Sequence, residues 1–190
     1  MAAIEGTQCF LTHNWANGNH ERVAAVNRAL KALGIVTWFD DERMEGQIRK
    51  KMAEGIENTQ CAVVFITALY RDKVNGDEAR DNCQYEFQYA VEQLGPQKMI
   101  PVVMEAALRD PKKWRGQLGA ALGTTLYVDM CGVEEGTEAF RTKIREIQAS
   151  DCPFPDQGIQ TQLASCPSSC STSCNSSSTQ NFRRSRQAAV

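Results

Sequence analysis

The chain has 190 residues, 42% hydrophobic and 23% charged, with a formal net charge of -2, a profile that fits one soluble domain of ~150 residues burying ~70% of its unfolded surface. No basic block exceeds Arg183-Arg184-Ser185-Arg186, which excludes the clustered Lys/Arg face that duplex nucleic acid requires. No run of eighteen apolar residues exists and residues 1–6 lack the basic and apolar regions of a signal peptide, so no membrane span and a cytoplasmic location are expected.

In chain order the apolar signal alternates between short runs and amphipathic stretches, the mark of successive βαβ units. Cys9-Phe10-Leu11 reads as a short buried strand, and Val23, Val26, Leu30 and Leu33 form one stripe of a helix over 20–33 that Gly34 stops. Ile35-Val36-Thr37-Trp38-Phe39 is β-branched and aromatic, hence a second strand. An acidic loop follows, then a helix marked by Ile48, Met52 and Ile56. Cys61 to Ile66 is apolar on both faces and belongs at the centre of a parallel sheet. A long polar loop from Thr67 to Asn82 leads to a helix with Cys83, Phe87, Ala90 and Leu94 inward. Strands are expected over 99–104 and 124–128, with an irregular helical stretch around 114–122 between them. A last helix over about 136–148 points Phe140, Ile144 and Ile147 inward.

Thiols stay reduced in the cytosol, and of the eight cysteines Cys9 and Cys61 sit inside strand patterns, so both are expected as buried free thiols. After Ser150 the chain turns Ser-, Gln-, Thr- and Cys-rich with three prolines, too polar to offset its ordering entropy. The expected organisation is one domain over 6–149 and a disordered Ser/Cys-rich tail over 150–190. Removing the tail's three Arg and two Asp leaves the domain 18 basic and 21 acidic groups. Cys166, Cys170 and Cys174 lack the fourth ligand of a zinc set, and acylation of that cluster beside the arginines is weighed against an inert linker.

The expected fold is α/β and flavodoxin-like: a five-stranded parallel sheet in order 2-1-3-4-5 with helices on both faces. Ligands of such sheets bind beyond the carboxyl ends of the strands, where the winding reverses. Here that point lies between the first and third strands, among Thr12, His13, Asn14, Trp15 and the residues from Thr67 onward. Glu86, in the first turn of the following helix, lies at the edge of the buried stripe and can reach the crevice. An acidic residue there also answers the helix dipole with no further role.

The run Trp38-Phe39-Asp40-Asp41-Glu42-Arg43-Met44-Glu45-Gly46, with Ile48 through Ile56, resembles the second strand and "BB" loop of TIR domains. Asp81-Asn82-Cys83-Gln84-Tyr85-Glu86-Phe87 resembles the TIR helix that carries the glutamate of NAD-cleaving members, Phe10 to His13 the first box, and Met99 to Met104 the fourth strand. The resemblance spans residues 8–148. It implies NAD as substrate rather than cofactor, nicotinamide release giving ADP-ribose or a cyclic form in signalling or innate immunity, and homotypic self-association through the BB loop. Glu86 takes the catalytic position; Thr12, His13, Asn14, Trp15, Asp40, Glu45 and Cys83 fall at substrate-side positions. Relatives that place Arg after the first strand and Trp before the glutamate differ from this chain, which has Asn14-Trp15 and Asn82.

Other readings stay alongside this one. A non-enzymatic TIR adaptor would use the same loop without needing Glu86, and a deoxyribosyltransferase-like enzyme shares the fold and a carboxylate. The acidic loop lacks the spacing and glycine of a Ca²⁺ loop, so no metal is expected. A receiver domain fails because Thr12-His13 and Thr67 stand where it needs aspartates.

Overall fold

Every residue of Cys61–Ile66 is apolar and buried, and a strand buried on both faces requires paired edges and helices above and below. The computed structural model, which describes residues 7–39, 48–78 and 81–150, has this arrangement. Strands β1 (Cys9–Thr12), β2 (Thr37–Trp38), β3 (Cys61–Ile66), β4 (Met99–Val103) and β5 (Val128–Asp129) run parallel in the order β2-β1-β3-β4-β5. Around them lie α1 (Asn19–Ala32), α2 (Ile48–Glu57), α3 (Ala68–Asn75), α4 (Asn82–Leu94), α5 (Gly116–Leu122) and α6 (Glu138–Ala149).

Strand alternation sorts the core into two layers. Cys9, Leu11, Cys61, Val63 and Phe65 meet Val23, Val26 and Leu30 of α1 and Phe140, Ile144 and Ile147 of α6. Phe10, Ala62, Val64 and Ile66 face the other way, against Met52 and Ile56 of α2, Tyr70 and Val74 of α3, Phe87 and Ala90 of α4, and Leu118 of α5. On this second face Phe10 stacks on Trp38 with centroids 4.4 Å apart. Gly55 lies so close under Trp38 that a Cβ there would come within 2.7 Å of the indole.

Three of the expected elements change. The second strand pairs over two residues rather than five: Ile35 and Phe39 are buried outside the ladder, and Val36 turns its side chain outward while its carbonyl accepts from the amides of Gln8 and Cys9 at 2.7 and 3.2 Å. The fifth strand starts at Val128 rather than Thr124, pairing with β4 at Val102 and Val103; Leu126 is left 94% exposed. Both are edge strands, where pairing is limited by the neighbour and short length guards against further pairing. The polar loop from Thr67 contains a helix, α3, capped by the Thr67 side chain accepting from the Tyr70 amide. Its inward residues, Tyr70 and Val74, show the four-residue spacing but are too few to register as a stripe.

Cys9 is a buried free thiol, pushed up to about 12 by burial, against a smaller opposite pull from the Val63 backbone. Cys61 corrects the expectation: it is disulfide-bonded. Burial in an apolar strand suits a thiol and a half-cystine equally, so position alone could not separate them. The expected tail, with Cys166, Cys170 and Cys174, lies outside the described residues, apart from Ser150. Among the described residues no helix is long and apolar enough to cross a membrane.

Candidate functional site

The site grows from the carboxyl ends of β1 and β3. Alternation places Thr12 on the same face as Phe10, toward α3 and α4. Its hydroxyl donates to Glu86 Oε2 at 2.7 Å and lies 3.0 Å from the Tyr70 hydroxyl. All three side chains are buried, Thr12 and Tyr70 at 0% exposure and Glu86 at 2%. Glu86 is thus more deeply set than its place on the helical wheel suggests. The wheel gives the angle on α4; the hydroxyl presented by β1, 74 residues away, gives the carboxylate a partner inside.

The start of α4 is pinned so that Glu86 meets β1. Asp81 caps the helix, accepting from the amides of Cys83 and Gln84 at 2.8 and 3.3 Å, and pairs with Lys73 Nζ at 2.8 Å. Burial pushes the Asp81 carboxyl up, but Lys73 and the two capping amides outweigh it and hold it below its ordinary value. The Cys83 thiol donates to the His13 carbonyl at 3.4 Å, tying α4 to the loop after β1. Burial, then the charges of Glu86 and Asp81, drive that thiol far up, so it stays protonated and is no thiolate nucleophile.

The loop after β1 is clasped to the start of α3. Thr67 Oγ1 donates to Asn14 Oδ1 at 2.5 Å, Asn14 Nδ2 donates to the Ala16 carbonyl at 3.1 Å, and Asn19 Nδ2 donates to the Asn14 carbonyl at 3.2 Å. Asn17 and Gly18 both have positive φ (62° and 69°), which turns the chain sharply into α1. Asn14 is 1% exposed, so its amide is committed to holding these two strand ends together.

His13 points away from Glu86, into a stack with His20 and Phe39 at centroid distances of 5.1 and 5.4 Å, while Trp15 covers His20 at 4.1 Å. His13 Nε2 and His20 Nδ1 lie 2.8 Å apart, and His13 Nδ1 is buried without a hydrogen-bond partner. Burial, then the neighbouring His20, lower the His13 imidazole to about 4, with the Leu11 carbonyl pulling weakly the other way. Trp15 remains half exposed at 50%.

The structure therefore brings Thr12 and Glu86 together, joins Cys83 and Asn14 to the scaffold beneath them, and sends His13 and Trp15 to the α1 side. Asp40 and Glu45 lie outside the described residues. Thr67, expected at this edge as the start of a loop, is the cap of α3; Tyr70, which no sequence pattern singles out, completes the arrangement, and a threonine cap before Tyr70 and Val74 is the signal that points to it. On the outer side of α4 a cleft of about 340 Å³ is lined by Gly76, Asp77, Asp81, Gln84, Tyr85 and their neighbours, away from Glu86. Among the described residues no group of three or more His, Cys, Asp or Glu could hold a metal ion. What the site offers is a carboxylate in low dielectric, oriented by a hydroxyl donor and suited to stabilising positive charge.

Residues 9–144 match the family model described as TIR domain. Among solved structures, the TIR domains of the activated Roq1 resistosome, which directly recognises the pathogen effector XopQ, are 17% identical with a TM-score of 0.53, covering 75% of this chain and 97% of that one. A prokaryotic SEFIR domain is 14% identical, also at 0.53, covering 75% of this chain and 96% of its own. No curated protein matches the chain.

Proposed function

Since this chain belongs to the TIR domain family, we propose that it cleaves NAD, releasing nicotinamide and leaving ADP-ribose or a cyclic form of it, with Glu86 as the catalytic carboxylate. The observation that carries the reading is Glu86 itself, hydrogen-bonded by Thr12 at the reversal point of the sheet. The C–N bond between nicotinamide and ribose breaks with its electron pair leaving on the ring, which departs neutral and needs no acid. The ribosyl fragment carries the positive charge, and water or a nucleophile within the same molecule captures it. A fixed carboxylate at that carbon stabilises the cation and binds the ribose hydroxyls.

The 2% exposure of Glu86 means that substrate has to uncover it. We assign that step to TIR–TIR assembly through the BB loop, Asp40 to Gly46, which makes activity depend steeply on protein concentration. Purified protein is incubated with NAD at low and high concentration and nicotinamide is measured. Release that rises faster than protein concentration and vanishes in Glu86→Gln supports the reading. A Glu86→Gln or Glu86→Ala protein that stays folded and fully active refutes the assignment. No release from crowded wild-type protein leaves the non-enzymatic adaptor as the reading of the family's fold.

A further inference from the structure

Tyr70 lies in α3 with 0% exposure, and among the described residues its hydroxyl meets Thr12 Oγ1 alone, at 3.0 Å. Thr12 Oγ1 has one proton and gives it to Glu86 Oε2 at 2.7 Å. A hydroxyl whose proton is spent on a carboxylate can only accept from its other neighbour. The direction of the chain is therefore fixed: Tyr70 donates to Thr12, and Thr12 donates to Glu86.

We propose that Tyr70 is a positioning residue for Glu86: its phenol locks and polarises the Thr12 hydroxyl so that the carboxylate is held ionised and in one orientation. Thr12 without Tyr70 could rotate its proton away; with Tyr70 in place, rotation would set two lone pairs against each other or strand the phenol proton in a buried site. Successive hydrogen bonds in low dielectric also strengthen one another. The phenol is a donor across the working pH range, because burial, then Cys83, then Glu86 and Asp81 raise it well above 10 while the Thr12 contact opposes them only in part.

Among the described residues the neighbouring titratable groups hold steady charges. Cys83 stays a thiol, and Asp81 and Lys73 form an ion pair with their ordinary ranges pushed further apart. The His13 ring points to the α1 side, where it stacks with His20 and Phe39. The catalytic consequence of the relay rests on the NAD-cleaving reading above; the relay itself does not.

The test is a ¹³C carboxyl NMR titration of Glu86, assigned with Glu86→Gln, in wild type, Tyr70→Phe, Thr12→Val, Thr12→Ser and the Tyr70→Phe/Thr12→Val double variant. Tyr70→Phe keeps the ring that packs the layer and removes only the donor. Its Glu86 pKa is expected to rise by roughly half to one unit. Thr12→Val raises it further, Thr12→Ser restores it, and the double variant matches Thr12→Val because Tyr70 acts through Thr12. An unmoved Glu86 in Tyr70→Phe, or additive shifts in the double variant, overturns the proposal. Nicotinamide release on the same proteins separates the two claims. Its acid limb should shift with the Glu86 pKa; an inactive wild type whose Glu86 still answers Tyr70→Phe refutes NAD cleavage alone, while an active wild type with an unmoved Glu86 refutes the relay alone.

Discussion

Acid stability should single out His13. Its imidazole is 1% exposed, hydrogen-bonded through one nitrogen to His20, and lowered to about 4. In the unfolded chain a histidine titrates near 6.5. Between those values the unfolded state binds a proton that the folded state refuses, so stability falls as pH falls. The contribution is intact above 6.5 and fully lost near 4. A difference of about 2.5 units corresponds to about 3 kcal/mol, or ~10 °C in melting temperature for a domain of this size. The assay is urea unfolding at a series of pH values from 7.5 to 4.5, on wild type and His13→Phe. The phenyl ring keeps the stack on Phe39 and cannot titrate, so the variant is offset at all pH values but loses most of the slope below 6.5. Parallel curves for the two proteins would show that the buried imidazole is not the source and refute the reasoning.

Gly55→Ala should destabilise the domain by about 1–3 kcal/mol, since its Cβ meets the Trp38 indole at 2.7 Å; thermal melting reads this, and an unchanged midpoint would mean that Trp38 moves freely. Thr67→Ala should cost about 1–3 kcal/mol, because it removes both the α3 cap and the hydroxyl that donates to Asn14. Thr67→Ser, which keeps both bonds, should recover most of that loss in the same denaturant titration. Arg115 has φ 47° and ψ -179°, a region open mainly to glycine, held by Asn75 Nδ2 donating to the carbonyls of Trp114 and Arg115 at 3.0 and 3.3 Å. Arg115→Gly should therefore stabilise the protein by about 1 kcal/mol, and a lowered melting temperature would contradict the strain.

The place of the candidate site was legible in the sequence where local pattern and topology sufficed. Glu86 followed from a helix that begins at the carboxyl edge of the third strand, and Thr12 to Trp15 from the end of the first. Their partners were not legible. Tyr70 was missed because eight residues with two inward side chains give no stripe, and in sequence nothing links it to Thr12, 58 residues earlier. His13 was assigned to the substrate side with its neighbours, yet alternation past the end of β1 carries its ring to the α1 layer.

The central place of Cys61–Ile66 and the inward residues of α4 and α6, with Val23, Val26 and Leu30 of α1, were legible in the sequence because period-2 and period-3.6 patterns act within a few residues; the order of the strands came with the expected fold type, and Leu33, read into the α1 stripe, is exposed. Tertiary structure alone decided that Glu86 is buried rather than at the boundary, that Thr12 donates to it from under Tyr70, and that the edge strands stop after two residues. Those outcomes depend on how closely layers from distant parts of the chain approach, and a buried polar group takes whichever partner that packing brings within reach.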